Sequence, residues 1–158
     1  RKNEGLIQEN SVKDNSILTI FNKLTKFNFF NSKKASLTTK DYIDKLNIRV
    51  NDIDSHVMNL SGGNQQKVVI AKWLAKKCKI LLFDEPTRGI DVAAKAQIWK
   101  LIEDFANSGG AVIVTSNEIP ELISGCNKII TMQKSKIVNT FDQEFFNEEQ
   151  ISLCISTN

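Results

Sequence analysis

What this 158-residue sequence lacks narrows it quickly. Two prolines and seven glycines stand beside abundant Ile, Leu, Val and Phe, which excludes a collagen-like or disordered chain. No apolar run approaches the ~18–20 residues that a bilayer-spanning helix needs. The longest, residues 80–83 and 111–114, have strand length. The three cysteines, Cys78, Cys126 and Cys154, are too far apart for a CxxC metal or redox pair, and their odd number suits a reducing cytosol better than a disulfide framework. Charge of one sign forms no long block: 21 basic and 18 acidic residues leave +3, and no basic stripe asks for nucleic acid. No signal peptide is visible, and the chain opens on Arg1 rather than Met, so a fragment with a missing beginning is expected. What is left, 41% hydrophobic and 25% charged, is one domain's worth of globular sequence, soluble or peripheral to a membrane.

Residues 1–58 are rich in Asn, Lys and Ser and read as a small helical unit with loops. Ser11 opens a partial helical face carrying Ile17, Ile20 and Phe21. Residues 28–36 read as a polar loop broken by Phe29 and Phe30, and Thr39 as the cap of a helix bearing Tyr42, Ile43 and Leu46. From residue 59 the texture changes. Gly62-Gly63 precede a helix with Val68, Ala71 and Ala75 on one face, and residues 80–83 have the pattern of a strand buried on both faces in a parallel sheet. Ala94, Ile98, Leu101, Ile102 and Phe105 share a second helical face that Gly109-Gly110 stop. Residues 111–115 form a second buried strand, 120–124 a short helix, and 128–132 with 136–140 a hairpin about Lys134-Ser135. Strand and helix alternating in this order predict an α/β core over residues 59–141 on a parallel sheet, with 142–158 as a peripheral helix or tail.

The chemistry gathers in two places. Leu60-Ser61-Gly62-Gly63-Asn64-Gln65-Gln66-Lys67 sets a hydroxyl and two glycines at a helix start, where backbone N–H groups make an anion site. The plain alternative is a glycine turn with Ser61 as cap. Downstream, the apolar strand ends in Asp84-Glu85, where ligands bind in open α/β sheets. Asp84 suits Mg²⁺, directly or through water, and Glu85 suits a group that orients or deprotonates an attacking water. A solvated strand end with a turn at Pro86 is the plain alternative here. His56, the only histidine, precedes the glycines and reads as a surface or packing residue.

In this order, LSGGNQQKVVIAKWL (residues 60–74) followed by LLFDEPTRGIDVAAK (81–95) resembles an ATP-binding cassette (ABC) protein. The likeness is closest to the second cassette of the tandem ATPases of bacterial monosaccharide importers. Residues 1–7 resemble the segment after that cassette's glutamine loop and 11–15 the helical segment that follows, so only residues 22–40 and the tail match weakly. The resemblance implies an incomplete P-loop NTPase-like ABC ATPase domain, a parallel-sheet core with a helical subdomain. Its P-loop portion is absent, since neither GxxxxGKS nor GxxxxGKT occurs. Ser61, Gly62, Gly63 and Asn64 would then belong to the signature motif, which reaches the γ-phosphate of ATP held by the opposite cassette. Asp84 would end the Walker B strand, Glu85 would be the catalytic base, and Asp91 would lie in the D-loop at the cassette interface. Asn117 occupies the switch position where the family has histidine. An amide cannot relay a proton as imidazole does, so a site containing it is expected to be slow or silent. Asn64 in place of glutamine is normal for this family, whereas Ala93 and Ser135 stand where glycines are common.

The function implied is the C-terminal part of a sugar-importer ATPase that uses ATP and Mg²⁺. Its implied partners are another cassette, N-terminal on the same polypeptide, transmembrane permease subunits and, indirectly, a sugar-binding protein. The implied location is the cytoplasmic face of the membrane, with no nucleic acid. Phosphoryl transfer to water needs positioning and charge neutralisation more than covalent chemistry, which carboxylates and N–H donors supply. Without a phosphate cradle the isolated chain is expected to be inactive. Two other readings stay open. One is a soluble ABC-type ATPase acting on nucleic acid or the ribosome, against which stand the lack of coiled-coil heptads and of a basic stripe. The other is an inactive, truncated cassette.

Overall fold

The computed structural model describes residues 5–156, so the first four residues of the segment likened to the glutamine-loop region lie outside the described part. The chain divides into two compact units, Arg1–Leu82 with Thr87–Ile113, and Phe83–Pro86 with Val114–Asn158.

In the first unit, Ser11 caps α1 (Val12–Ile17) by accepting the Asp14 N–H at 3.0 Å, as its sequence predicts. A 3₁₀ turn (Leu18–Ile20) and α2 (Phe21–Leu24) lead into an antiparallel hairpin, β1 (Thr25–Lys26) with β2 (Phe29–Phe30). The polar-loop reading of residues 28–36 is therefore wrong. Residues 28–30 belong to the hairpin, and α3 (Ser32–Lys45) begins at Ser32, where the Asn31 side chain accepts the Lys34 N–H at 2.9 Å. Thr39 is no cap either: it lies buried in the middle of α3. The cause is visible in the composition of α3, which buries only Ala35 and Thr39 and so offers little apolar periodicity to read.

α4 (Gly62–Ala75) is the centre of this unit, with α1 and α3 packed on it. Ile17, Ile20, Leu24, Ala35 and Ala75 form an apolar cluster, with Tyr42 against it. Buried polar side chains fasten the loops. Asn15 donates to the carbonyls of Ile7 and Ser11 and accepts the Ile7 N–H. Lys72 donates to the Gly5 carbonyl at 2.6 Å, and burial holds its pKa below the usual lysine value. Farther along, α5 (Val92–Asn107) buries Ile98 and Ile102.

β3 (Ile80–Asp84) and β4 (Ala111–Thr115) are hydrogen-bonded neighbours. They run parallel: the Ala111 N–H bonds to the Lys79 carbonyl at one end, and the Glu85 N–H to the Thr115 carbonyl at the other. Burial on both faces, expected from the sequence, does not hold. Leu81 is 7% exposed, but Leu82 is 76% and Ile113 56% exposed. Uninterrupted apolar strands are written for a sheet covered on two sides, and among the described residues one side has a cover.

In the second unit, β5 (Lys128–Gln133) pairs antiparallel with β6 (Lys136–Asp142), beside α6 (Ile119–Gly125) and α7 (Glu148–Ser156). Ile129, Phe141 and Ile151 form its core, so the tail helix is anchored by a fully buried Ile151. The hairpin turns on Lys134 and Ser135 at φ 48° and 63°, a left-handed pair built without glycine. Left-handed backbone strains an L residue, and Ser135→Gly is expected to add about 0.5–1 kcal/mol after glycine's extra chain entropy is subtracted. A melting temperature unchanged or lowered by Ser135→Gly would show that the turn is unstrained.

Candidate functional site

The glycine-rich segment is built by the first unit. Ser61 is exposed and extended (φ −59°, ψ 156°) at the N-cap of α4. Its Oγ accepts the Asn64 N–H at 3.5 Å and the Asn64 side-chain amide at 2.9 Å. Asn64 in turn accepts the Arg49 N–H at 2.9 Å, so one amide side chain ties the cap to the incoming loop. Gln65, 3% exposed, donates to the carbonyls of Val57 and Leu60 at 3.2 Å each. Lys67 donates to the Asn47 carbonyl at 2.8 Å, and its pKa is lowered by burial first and by the charge of Arg49 second. The Asn-Gln-Gln-Lys run therefore does scaffolding: Asn64, Gln65 and Lys67 each hold a piece of the preceding loop. Sequence reasoning gave no role to Arg49, Gln65 and Lys67: Gln65 and Lys67 reach backbone carbonyls up to 20 residues away, and Arg49 enters through its own backbone N–H.

The two glycines differ from one another. Gly63 is buried, and a Cβ built on it would stand 2.7 Å from the Cβ of Ala94 on α5. Close packing of helix on helix requires this glycine, whatever ligand comes near. Asp91 stands at the other side of the same junction. Its side chain caps α5 by accepting the Ala94 N–H at 2.9 Å. Ala93 lies in the first turn of α5, where alanine is at home and no glycine is needed.

The carboxylates belong to the second unit. Thr115 Oγ1 donates to Asp84 Oδ1 at 2.5 Å. The Glu85 N–H bonds to the Thr115 carbonyl at 3.0 Å, and Glu85 Oε1 accepts the Asn117 N–H at 3.0 Å. Glu85 has φ +46°, a left-handed conformation that costs a residue of its size roughly 1–2 kcal/mol. Two hydrogen bonds to the end of β4 hold it there. Asn117 thus enters the site through its backbone N–H rather than through the side-chain amide that sequence reasoning weighed, and Thr115 is a partner that reasoning missed.

Asp84 and Glu85 offer hard oxygen donors at the C-terminal end of a parallel strand, the type Mg²⁺ takes alongside water and phosphate oxygens. Among the described residues no group of three or more His, Cys, Asp and Glu could hold a metal unaided. Asp84 and Glu85 are the residues that could hold Mg²⁺ here, with further ligands from outside the chain. His56 is exposed and meets Ser11 in a backbone bridge.

The ribose import ATP-binding protein RbsA 2 of Mesorhizobium japonicum is 44% identical over 137 residues, covering 87% of this chain and 27% of that protein. The xylose import ATP-binding protein XylG of Thermoanaerobacter pseudethanolicus is 40% identical over 154 residues, 98% of this chain and 30% of its own length. The chain therefore spans 27% to 30% of the length of these curated relatives. Among solved structures, the ATP-binding cassette MJ0796, a dimer bound to ADP and Pi in a post-hydrolysis state, matches with a TM-score of 0.73 at 22% identity, over 89% of this chain and 60% of that one. An inward-facing ABC transporter described as of metal-chelate type matches with a TM-score of 0.78 at 23% identity, over 94% of this chain and 60% of that one. These likenesses establish the fold as that of part of an ABC ATPase domain. The family model described as ABC transporter matches residues 1–88, more than half of the sequence, and the chain belongs to that family.

Proposed function

We propose that this chain is the C-terminal part of the second cassette of a monosaccharide-import ATPase. The observation that carries the reading is the Glu85 constellation: a strained carboxylate at a strand end, fixed by the N–H of Asn117 beside an Asp84 pinned by Thr115. Strain of this kind persists where the surroundings enforce it, and it concentrates at reaction sites. Glu85 orients and deprotonates the attacking water. Asp84 would hold Mg²⁺, directly or through water, and the ion would supply charge that neutralises the phosphate oxygens.

Ser61 acts on a different ATP. Its oxygen already accepts two hydrogen bonds from Asn64, which leaves its O–H to donate outward, toward the γ-phosphate held by the opposite cassette. Gly62, Gly63 and Asn64 shape that contact, and Asp91 lies at the cassette interface. Residues 1–58 serve as the helical subdomain that meets the permease, 59–141 as the core, and 142–158 as a C-terminal helical segment anchored by Ile151. The sugar assignment draws on the relatives named for ribose and xylose import, and those names weigh against an ATPase acting on nucleic acid or the ribosome. The partners are then a first cassette on the same polypeptide, transmembrane permease subunits and a sugar-binding protein, at the cytoplasmic face of the membrane.

Titration calorimetry and ATPase assays test the reading. The full-length protein is expected to bind and hydrolyse Mg-ATP. This chain alone is expected to bind none at micromolar nucleotide, because its sequence contains neither GxxxxGKS nor GxxxxGKT to cradle the phosphates. Micromolar, Mg²⁺-dependent binding by the chain alone overturns the reading, and so does a full-length protein without ATPase activity.

A further inference from the structure

The hairpin of β1 and β2 spends stability on exposing aromatic rings. Phe27 is 84% and Phe29 81% exposed. Phe27 occupies the first of two left-handed turn positions (φ 49°, followed by Asn28 at 62°), where Asn, Asp or Gly is favoured and a bulky ring is strained. Neither ring is needed to close the hairpin. The Leu24 carbonyl accepts the Asn31 N–H at 2.9 Å, and Phe21 stacks on Phe30 with centroids 5.2 Å apart, which together secure its base.

The charges around it are equally unusual. Residues 15–40 contain five lysines and no acidic residue, although the whole chain is only +3. Lys23, Lys26, Lys33 and Lys34 are all exposed, and the Lys26 ammonium lies 5.6 Å from the Phe27 ring centroid. Lys33 and Lys34 sit in the first turn of α3, with no acidic residue there, where the helix dipole disfavours positive charge. Stability within the chain explains neither the rings nor the lysines.

We propose that this hairpin is a membrane-surface contact that takes anionic phospholipid headgroups. Phe27 and Phe29 enter the boundary between headgroups and acyl chains, while the lysine stems run along the surface and place their ammonium groups among the phosphates. Charge complementarity selects this occupant: a cluster with no negative charge matches a surface of phosphodiesters, and apolar rings flanked by lysines match its depth profile. The inference is independent of the nucleotide chemistry, because it uses no residue of the candidate site.

Co-sedimentation with vesicles tests it, using phosphatidylcholine with about one part in four phosphatidylglycerol against phosphatidylcholine alone, at salt near 0.1 M where charges act over about 10 Å. The chain is expected to pellet with the phosphatidylglycerol vesicles and not without them. Phe27→Ser with Phe29→Ser is expected to reduce binding about tenfold or more, with an unchanged circular dichroism spectrum. Phe27→Trp provides a second readout, a blue shift of its emission on adding the same vesicles. No binding to phosphatidylglycerol vesicles, or binding untouched by the paired serine substitution, overturns the proposal. So does self-association through these rings without lipid, or capture only by a permease segment.

Discussion

Gly63→Ala is expected to destabilise the fold by roughly 2 kcal/mol, the middle of the range for overpacking a filled site. Helix propensity alone predicts the opposite sign, since alanine in a helix gains up to about 1 kcal/mol over glycine. The clash decides the outcome. A Cβ on residue 63 would stand 2.7 Å from the Cβ of Ala94, and neither atom is the free end of a flexible side chain. The backbone of α4 or α5 must move, and α4 is the helix on which α1 and α3 pack. Ala94→Gly alone should cost about 0.5–1 kcal/mol as a helical glycine. Combined with Gly63→Ala it should recover most of the loss, because the two methyl groups compete for one space. Urea unfolding of the two single variants and the double variant measures the coupling. If Gly63→Ala matches the parent chain in stability, or if Ala94→Gly brings no recovery, close helix packing is not what residue 63 is glycine for.

The caps at Ser11 and Ser61 were legible in the sequence because a capping side chain reaches an N–H three residues ahead, a distance that one-dimensional reading handles well, whereas the cap that Asp91 makes on α5 went unread. The β1–β2 hairpin was not, since Phe27-Asn28 makes a left-handed turn without the glycine that advertises one. The start of α3 was hidden for a related reason, because its surface is polar almost all round. Both β3 and β4 were found as parallel strands from apolar runs, but those runs overstated burial: Leu82 and Ile113 meet solvent in this chain. At the carboxylates, residue types announced the position of Asp84 and Glu85 and nothing of their posture. The positive φ of Glu85 carries no compositional signal, and the Asn117 bond to it comes from an amide hydrogen that every residue except proline possesses. A reading that weighs side chains cannot see a site assembled partly from backbone.

That backbone bond shapes the second large effect. In the full-length protein, with the other ATP site silenced, Glu85→Gln is expected to lower hydrolysis at this site by about a hundredfold or more, the range for losing a general base. Glutamine keeps a carbonyl oxygen that can accept the Asn117 N–H in place of Glu85 Oε1, so positioning survives and basicity alone is lost. Asn117→His also leaves the residue-117 N–H in place, while adding an imidazole able to donate to a phosphate or to relay a proton. It is expected to raise turnover several-fold in the parent protein and to change nothing in the Glu85→Gln background, because an activated phosphate still needs an oriented water. Single-turnover rates of the four combinations test this, with nucleotide affinity measured alongside to separate binding from chemistry. Unchanged hydrolysis after Glu85→Gln would remove Glu85 from catalysis. An equal gain from Asn117→His in both backgrounds would mean that residue 117 acts through its side chain alone, and that its backbone hydrogen bond to Glu85 is structural.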